Sequence, residues 1–271
     1  MSIEESIKDV VEAFPFKEYM SSNDTSHYSI ASTVAKWVPA GGSVLDFASG
    51  PCDKTAVVQR TGFQCTACDD LGDYWHNLPG NRERIMQFAA DEGIDFHLLE
   101  SRELPFKEES FDMVMAHAVL DHLHDSPRPL LNKLISFIKP NGYLFISLPN
   151  AVNIRKRIAV MRGKTNMPPY DSYYWYPGSW RGHVREYVKD DLAQMAKFLQ
   201  MEVVELHGCH HLTGRVPALI RPIYMAATAV FDGWRDSWTL VAKKPAGWVA
   251  KDELEPGELD EIKAIKAYQD A

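Results

Sequence analysis

Val44-Leu45-Asp46-Phe47-Ala48-Ser49-Gly50-Pro51-Cys52-Asp53 is the stretch on which the fold turns. A short apolar run closes on an acid, passes through small residues, and ends where Asp53 to Arg60 takes up a helical pattern. That order describes a buried strand, a tight turn and a helix. In an open parallel sheet, ligands bind outside the carboxyl ends of the strands, where the backbone must be approached closely. Ala48, Ser49 and Gly50 leave room for such an approach. Asp46, at the strand end, is placed to accept a hydrogen bond from a cationic group such as an ammonium.

Working outward, helical and strand patterns alternate as a parallel sheet with crossover helices requires. Thr25 to Trp37 reads as a helix with Ile30, Val34 and Trp37 on one face, and Pro39-Ala40-Gly41-Gly42 ends it. Strands are predicted at 43–47, 63–68, 95–99, 111–116, 143–148 and 203–207, with helices near 82–91, 129–138 and 190–199. Ser237 to Ala242 closes the sheet beside the strand at 203–207. The expected fold is therefore α/β, a doubly wound, seven-stranded, mostly parallel sheet. One domain accommodates the whole chain: an N-terminal helical cap (1–40), a ligand-binding core (41–149), an insertion or lid (150–188), the second half of the sheet (189–246) and an acidic tail (247–271) of helical character.

Composition narrows the class. The 271 residues are 45% hydrophobic and 24% charged, as in an ordinary globular protein. A net charge of −8 argues against a general nucleic-acid binder, whose affinity rests on a basic surface. The acidic start, Met1 to Ser6, lacks the basic-then-apolar order of a secretory leader, so a cytoplasmic location is expected. The longest apolar stretch, Val216 to Phe231, is broken by Pro217, Arg221 and Pro222, too interrupted for a transmembrane span. A buried helix is expected there, with an interfacial helix making peripheral membrane contact as the alternative. Cys65 and Cys68 have CxxC spacing, but on a strand they face opposite sides of the sheet, so they read as core thiols.

An acid about 20 residues beyond the first turn can take both hydroxyls of a ribose, and Asp69 fits, with Asp70 next to it. Dinucleotide sites share that feature, but they want G-x-G-x-x-G so that pyrophosphate can sit on the helix N-terminus. This turn has one glycine, and Asp53 at the helix mouth is expected to repel phosphate. A ligand with cationic groups and no phosphate suits it better.

The run Val44 to Asp53 resembles motif I of the class I S-adenosylmethionine (SAM)-dependent methyltransferases, with Ala48 and Cys52 where that motif carries glycines. Thr66-Ala67-Cys68-Asp69 resembles the family's second acidic motif, and Glu100 to Phe106 followed by Ser110 to Val114 resembles its "D-A-x-x-L-P-F … S-F-D-x-V" segment. Val119-Leu120-Asp121-His122-Leu123 and Lys139-Pro140-Asn141-Gly142-Tyr143-Leu144 are similar to its later turns. His183-Val184-Arg185-Glu186-Tyr187 resembles a segment of its small-molecule branch. The resemblance implies SAM on Asp46, Ala48, Ser49, Gly50, Asp69, Asp70, Glu100, Ser101 and His117, with Glu100 at the adenine amino group and the Ser101 backbone N–H at a ring nitrogen. Some quinone-type relatives carry a further Glu, thought to help hold a metal, where this chain has Ala118, so no metal on Asp121 and His122 is expected.

Methyl transfer from a sulfonium is an in-line displacement, governed mainly by positioning and aided by a general base. His117, His122 and His183 are the candidate catalytic groups; His117 could equally be a wall residue, and His122 a helix cap. His207, His210 and His211 with Cys209 read as a polar strand end. In the lid, Arg155, Arg157 and Arg181 are candidates for an anionic acceptor, and Tyr173, Tyr174, Trp175, Tyr176 and His183 for a sugar-like one. Tyr74 and Trp75, just beyond Asp69-Asp70, are expected to wall the adenine. The leading expectation is O-methylation of a small hydroxylated acceptor such as a sugar or glycan intermediate. N-methylation of a small amine, a lipid or quinone methyltransferase at a membrane surface, an NAD(P)-dependent oxidoreductase and a non-catalytic SAM-binding scaffold stay open.

Overall fold

The computed structural model describes all residues except 21–23, 102, 212, 214–215 and 254–271. The acidic tail read from the sequence thus lies outside the described residues beyond position 253.

Helix α1 (Ile3–Ala13) starts on a capping box in which Ser2 and Glu5 satisfy each other's backbone N–H, and α2 (Lys17–Met20) and α3 (Asp24–Trp37) follow. Then β1 (Ser43–Phe47), α4 (Asp53–Arg60), β2 (Gln64–Asp69), α5 (Asn81–Asp91), β3 (Asp95–Leu98) and β4 (Phe111–His117) alternate as expected. The second half holds α6 (Arg128–Ser136), β5 (Ile138–Pro149), α7 (Ile154–Met161), α8 (Tyr170–Tyr174), α9 (Lys189–Phe198), β6 (Glu202–Cys209), α10 (Arg221–Val230) and β7 (Ser237–Lys243).

The seven strands form one sheet in the order β3-β2-β1-β4-β5-β7-β6. β1 is flanked by β2 and β4, both parallel to it, so the strand order reverses between β1 and β4. The crevice at that reversal is where a doubly wound sheet takes its ligand. β7 pairs with β6 as expected, but it also pairs with β5, antiparallel to both, and so lies inside the sheet. Ser237–Ala242 is buried throughout, Ser237 and Thr239 included, because a strand inside the sheet is covered on both faces.

Two apolar layers sandwich the sheet. Val44 belongs to the layer with Val10, Ile30 and Val57, and Leu45 to the layer with Leu134, Ile135 and Leu192. Successive side chains of one strand thus serve opposite faces. Cys65 and Cys68 separate the same way, one into each layer, which removes the CxxC pair as a redox or zinc unit. All four cysteines are free and buried. Burial pushes Cys68 up to about 12 and Cys209 up to about 11, and raises Cys52 and Cys65 as well.

The stretch 216–231 departs from expectation. Helix α10 is not buried: only Thr228 of its residues is, while Ile223 is 73% and Val230 74% exposed, as is Leu219 just before it at 91%. Among the described residues no helix is long and apolar enough to cross a membrane. The buried thiols predict that the native chain resists an aromatic disulfide reagent at pH 8 and that denaturant releases all four groups. Fast reaction of two thiols in the native state would overturn the core assignment of Cys65 and Cys68.

Candidate active site

The turn after β1 is held by backbone conformation. Ala48 (φ 56), Gly50 (φ 57) and Cys52 (φ 63) are all left-handed. That region costs an L side chain roughly 1–2 kcal/mol, so Ala48 and Cys52 carry strain where glycine would carry none. A Cβ built on Gly50 would meet nothing within 4 Å, because the turn borders open cavity. β2 fastens the turn: Ser49 N–H donates to Cys68 O (3.1 Å), and Gly50 N–H donates to Asp69 Oδ2 (2.8 Å). The other Asp69 oxygen accepts from Leu71 N–H (2.6 Å). Each carboxylate oxygen retains a further lone pair toward the cavity.

Asp53 corrects the sequence argument. It is fully buried, with His27 Nε2 at 2.7 Å and Lys54 Nζ at 3.1 Å. Against the burial that opposes ionisation, the Lys54 ammonium and His27 hold its carboxyl well below the usual range. The helix mouth therefore shows the cavity Lys54 rather than a bare acid, and phosphate exclusion by Asp53 does not operate. Asp46 is buried at the cavity wall and accepts from the Thr55 hydroxyl (2.5 Å). Burial pushes Asp46 up to about 7 despite that hydrogen bond.

These groups border one cavity of about 1370 Å³ along the carboxyl edge of the sheet. Asp46, Ala48, Ser49, Gly50, Asp69, Asp70, Glu100, Ser101 and His117 all line it, as do His122, His183 and Trp75. His117 Nε2 is buried with no hydrogen-bond partner, and the ring stands edge-on to Phe145. Burial, then the nearby His211, drives His117 well below its ordinary value, leaving a neutral imidazole.

A second polar niche lies where the lid meets the turn after β4. Asp121 Oδ2 stands 3.2 Å from His183 Nε2 and 3.5 Å from His122 Nε2. Behind the rings, His183 Nδ1 is 2.8 Å from Glu186 Oε1 and His122 Nδ1 is 2.5 Å from the Arg181 carbonyl. Lys156 pairs with Glu186. Burial pushes Asp121 up to about 6 and His183 down to about 4.

The lid corrects several sequence expectations. Arg181 makes a bidentate pair with Asp70 (2.9 and 3.1 Å) and also reaches Asp73 (2.9 Å), so two groups assigned to different ligands are assigned to each other. Arg155 pairs with buried Asp236 at 2.6 Å. Arg157 donates to the Val152 carbonyl and is not on the cavity wall. Tyr173, Tyr174, Trp175 and Tyr176 are not on that wall either; Tyr173 and Tyr176 pack edge-on against Trp180, which is. The sequence reading missed Lys54, Trp180 and His211. His211 follows the carboxyl end of β6, a strand running parallel to β5, and that position was the available signal.

With this sheet order and acid-lined crevice, the match to a methyltransferase-domain sequence model makes the chain a class I SAM-dependent methyltransferase, an enzyme that uses SAM as cofactor. The chain belongs to the methyltransferase-domain family, whose sequence model matches residues 24–206. Curated relatives include a ubiquinone biosynthesis O-methyltransferase of Rickettsia canadensis, 23% identical across 70% of this chain and 72% of that one. A demethylmenaquinone methyltransferase of Clavibacter sepedonicus is 28% identical across 47% of this chain, and the match spans about half of that protein (49%). Among solved structures, a Burkholderia thailandensis 1,6-didemethyltoxoflavin-N1-methyltransferase, with S-adenosylhomocysteine bound, superposes with a TM-score of 0.53 at 17% identity, covering 90% of this chain and 91% of that one. The [4+2]-cyclase SpnF reaches 0.52 at 16% identity and 81% coverage of both chains. At such identities the likeness is one of fold.

Because Arg181 ties the lid to the turn after β2 by exposed ion pairs, its loss should loosen the lid without unfolding the core. Arg181→Ala is expected to speed amide exchange across 163–188 and to cost no more than about 1 kcal/mol of global stability. Unchanged exchange in that segment would show that the ion pairs do not hold it.

Proposed function

We propose that the enzyme transfers the SAM methyl group to a hydroxyl of a small ring acceptor of phenol or quinol type, with His117 as general base. The observation that carries this reading is the buried, unpartnered Nε2 of His117, on the cavity wall beside the Asp46–Gly50 turn. When bound, SAM supplies an electrophilic methyl group that an oxygen nucleophile takes by in-line displacement.

The residues divide the remaining work. Asp69 holds the ribose hydroxyls with the lone pairs left over from its two backbone contacts. Glu100 and Ser101 meet the adenine, and Asp46 meets the amino-acid ammonium. With its proton on Nδ1, neutral His117 has a lone pair on Nε2 for the acceptor's hydroxyl proton as the oxygen attacks. The Asp121–His122–His183 niche is the second polar contact for the acceptor. Asp70 and Arg181 act together as a latch over the site.

The sugar reading rested on stacking by lid aromatics and on free lid cations. Four of those aromatics stand off the cavity wall, and Arg155 and Arg181 are already paired. A quinol-type acceptor draws support from the named activities of the curated relatives and from α10, whose outward apolar side chains suit the surface from which a lipid-soluble substrate would arrive.

Incubating the protein with SAM and matched catechol, sugar and amine acceptors tests the reading through S-adenosylhomocysteine formation and the site of methylation. An O-methylated catechol is expected, and His117→Ala should lower kcat by about 10²-fold or more. Product from the amine alone, or full turnover by the variant, would sink it.

The position of Asp46 makes cofactor affinity depend on pH. Burial raises this acid to about 7, while an ammonium favours its charged form, so binding releases a proton. SAM should bind about tenfold more weakly at pH 6 than at pH 8. Asp46→Asn should bind weakly at both, with the slope gone; a slope that persists in the variant assigns it to another group.

A further inference from the structure

We infer that Asp121, His122 and His183 form a binding site for one divalent first-row transition-metal ion at the acceptor end of the cavity. The inference goes beyond methyl transfer and does not need the acceptor to be a quinol.

Proton counting around the three side chains is the first argument. His122 Nδ1 faces the Arg181 carbonyl, which can only accept, so that nitrogen carries its proton. His183 Nδ1 faces Glu186, whose other oxygen pairs with Lys156, so it also donates. Both Nε2 atoms then present lone pairs to Asp121. The Asp121 side chain is 0% exposed, and among the described residues no donor from another residue makes a hydrogen bond to either of its oxygens. Three electron-rich atoms therefore converge on one point at the cavity wall. One proton can bridge two of them and leaves the third facing a lone pair; a divalent cation satisfies all three.

Geometry agrees. The donor atoms all lie within 4.8 Å of one another, with edges of 3.2 and 3.5 Å from Asp121 to the two rings. Metal bonds of roughly 2.0–2.2 Å to imidazole and carboxylate put neighbouring donors about 3–3.5 Å apart. Each ring is also backed as metal-bound imidazoles are, His183 by a carboxylate and His122 by a backbone carbonyl, which sets the tautomer and the ring direction. Two imidazoles and one carboxylate select a first-row transition ion over magnesium or calcium, which want oxygen.

The expectation of no metal considered Asp121 and His122 alone, with Ala118 in place of a third ligand. The lid brings His183 instead, from far along the chain. His122 and His183 line the cavity, so the ion's remaining positions would open toward the acceptor, where it would polarise a hydroxyl and ease loss of its proton.

The test is a titration of the full-length, chelator-stripped chain with Co²⁺, read by visible d–d absorption, and with Zn²⁺, read by calorimetry, both without SAM or acceptor. One equivalent is expected. Asp121→Asn and His183→Ala should each weaken it about 100-fold or more, and Glu186→Gln, which touches no metal, about 10- to 100-fold. Far-ultraviolet circular dichroism and SAM binding by each variant separate ligand loss from misfolding. Wild-type binding no tighter than that of a variant carrying both Asp121→Asn and His183→Ala, or binding that survives each of these substitutions and falls with His210→Ala, would overturn the inference. A chain that methylates a catechol yet takes up no cobalt would overturn it too, with the transfer reading intact.

Discussion

The bond from Gly50 N–H to Asp69 Oδ2 is the contact on which the ligand edge depends. It joins the strained turn after β1 to the end of β2, and so holds the backbone that lines the cavity against the acid that borders it. Ala48 and Cys52 are held left-handed without glycine's freedom. That strain persists because the surroundings over-determine the turn: Ser49 donates to Cys68, and α4 is anchored below by Asp53 in its buried pair with His27. The rest of the site is arranged outward from this knot.

Charge at the site is mostly spent within the protein. Lys54 neutralises Asp53, which also meets the His27 ring, Arg181 joins Asp70 to Asp73, Arg155 covers Asp236, and Lys156 covers Glu186. In a chain of net charge −8 this leaves the cavity wall with a few poised groups instead of a basic field. Asp46, His117 and Asp121 are shifted chiefly by burial, and shifts of that origin collect where a ligand's charge is to be met.

Much of the fold was legible in the residues because local rules and tertiary packing agree there. β1 and α4 begin and end where the pattern places them, and the alternation of Val44 and Leu45 marks a strand buried on both faces. The edge of the crevice was legible for the same reason: Asp46, the small turn and Asp69 stand where a parallel sheet has its switch point, and all border the cavity. The lid was not. Nothing in the spacing of Arg181, Tyr173 or Arg155 tells whether a side chain faces the cavity or a neighbouring acid. An aromatic run reads alike whether it stacks on a ligand or, as with Tyr173 and Tyr176, on Trp180.

By itself, then, the sequence determined the seven-stranded, mostly parallel sheet and the acid-bearing turn at its carboxyl edge, because periodicity and turn chemistry act between near neighbours in the chain. Tertiary structure alone decided what meets across long separations. It set β7 between β5 and β6, turned α10 outward, buried Asp53 against His27, and brought His183 to Asp121. The physical reason is that pairing and burial depend on which surfaces the completed sheet brings together.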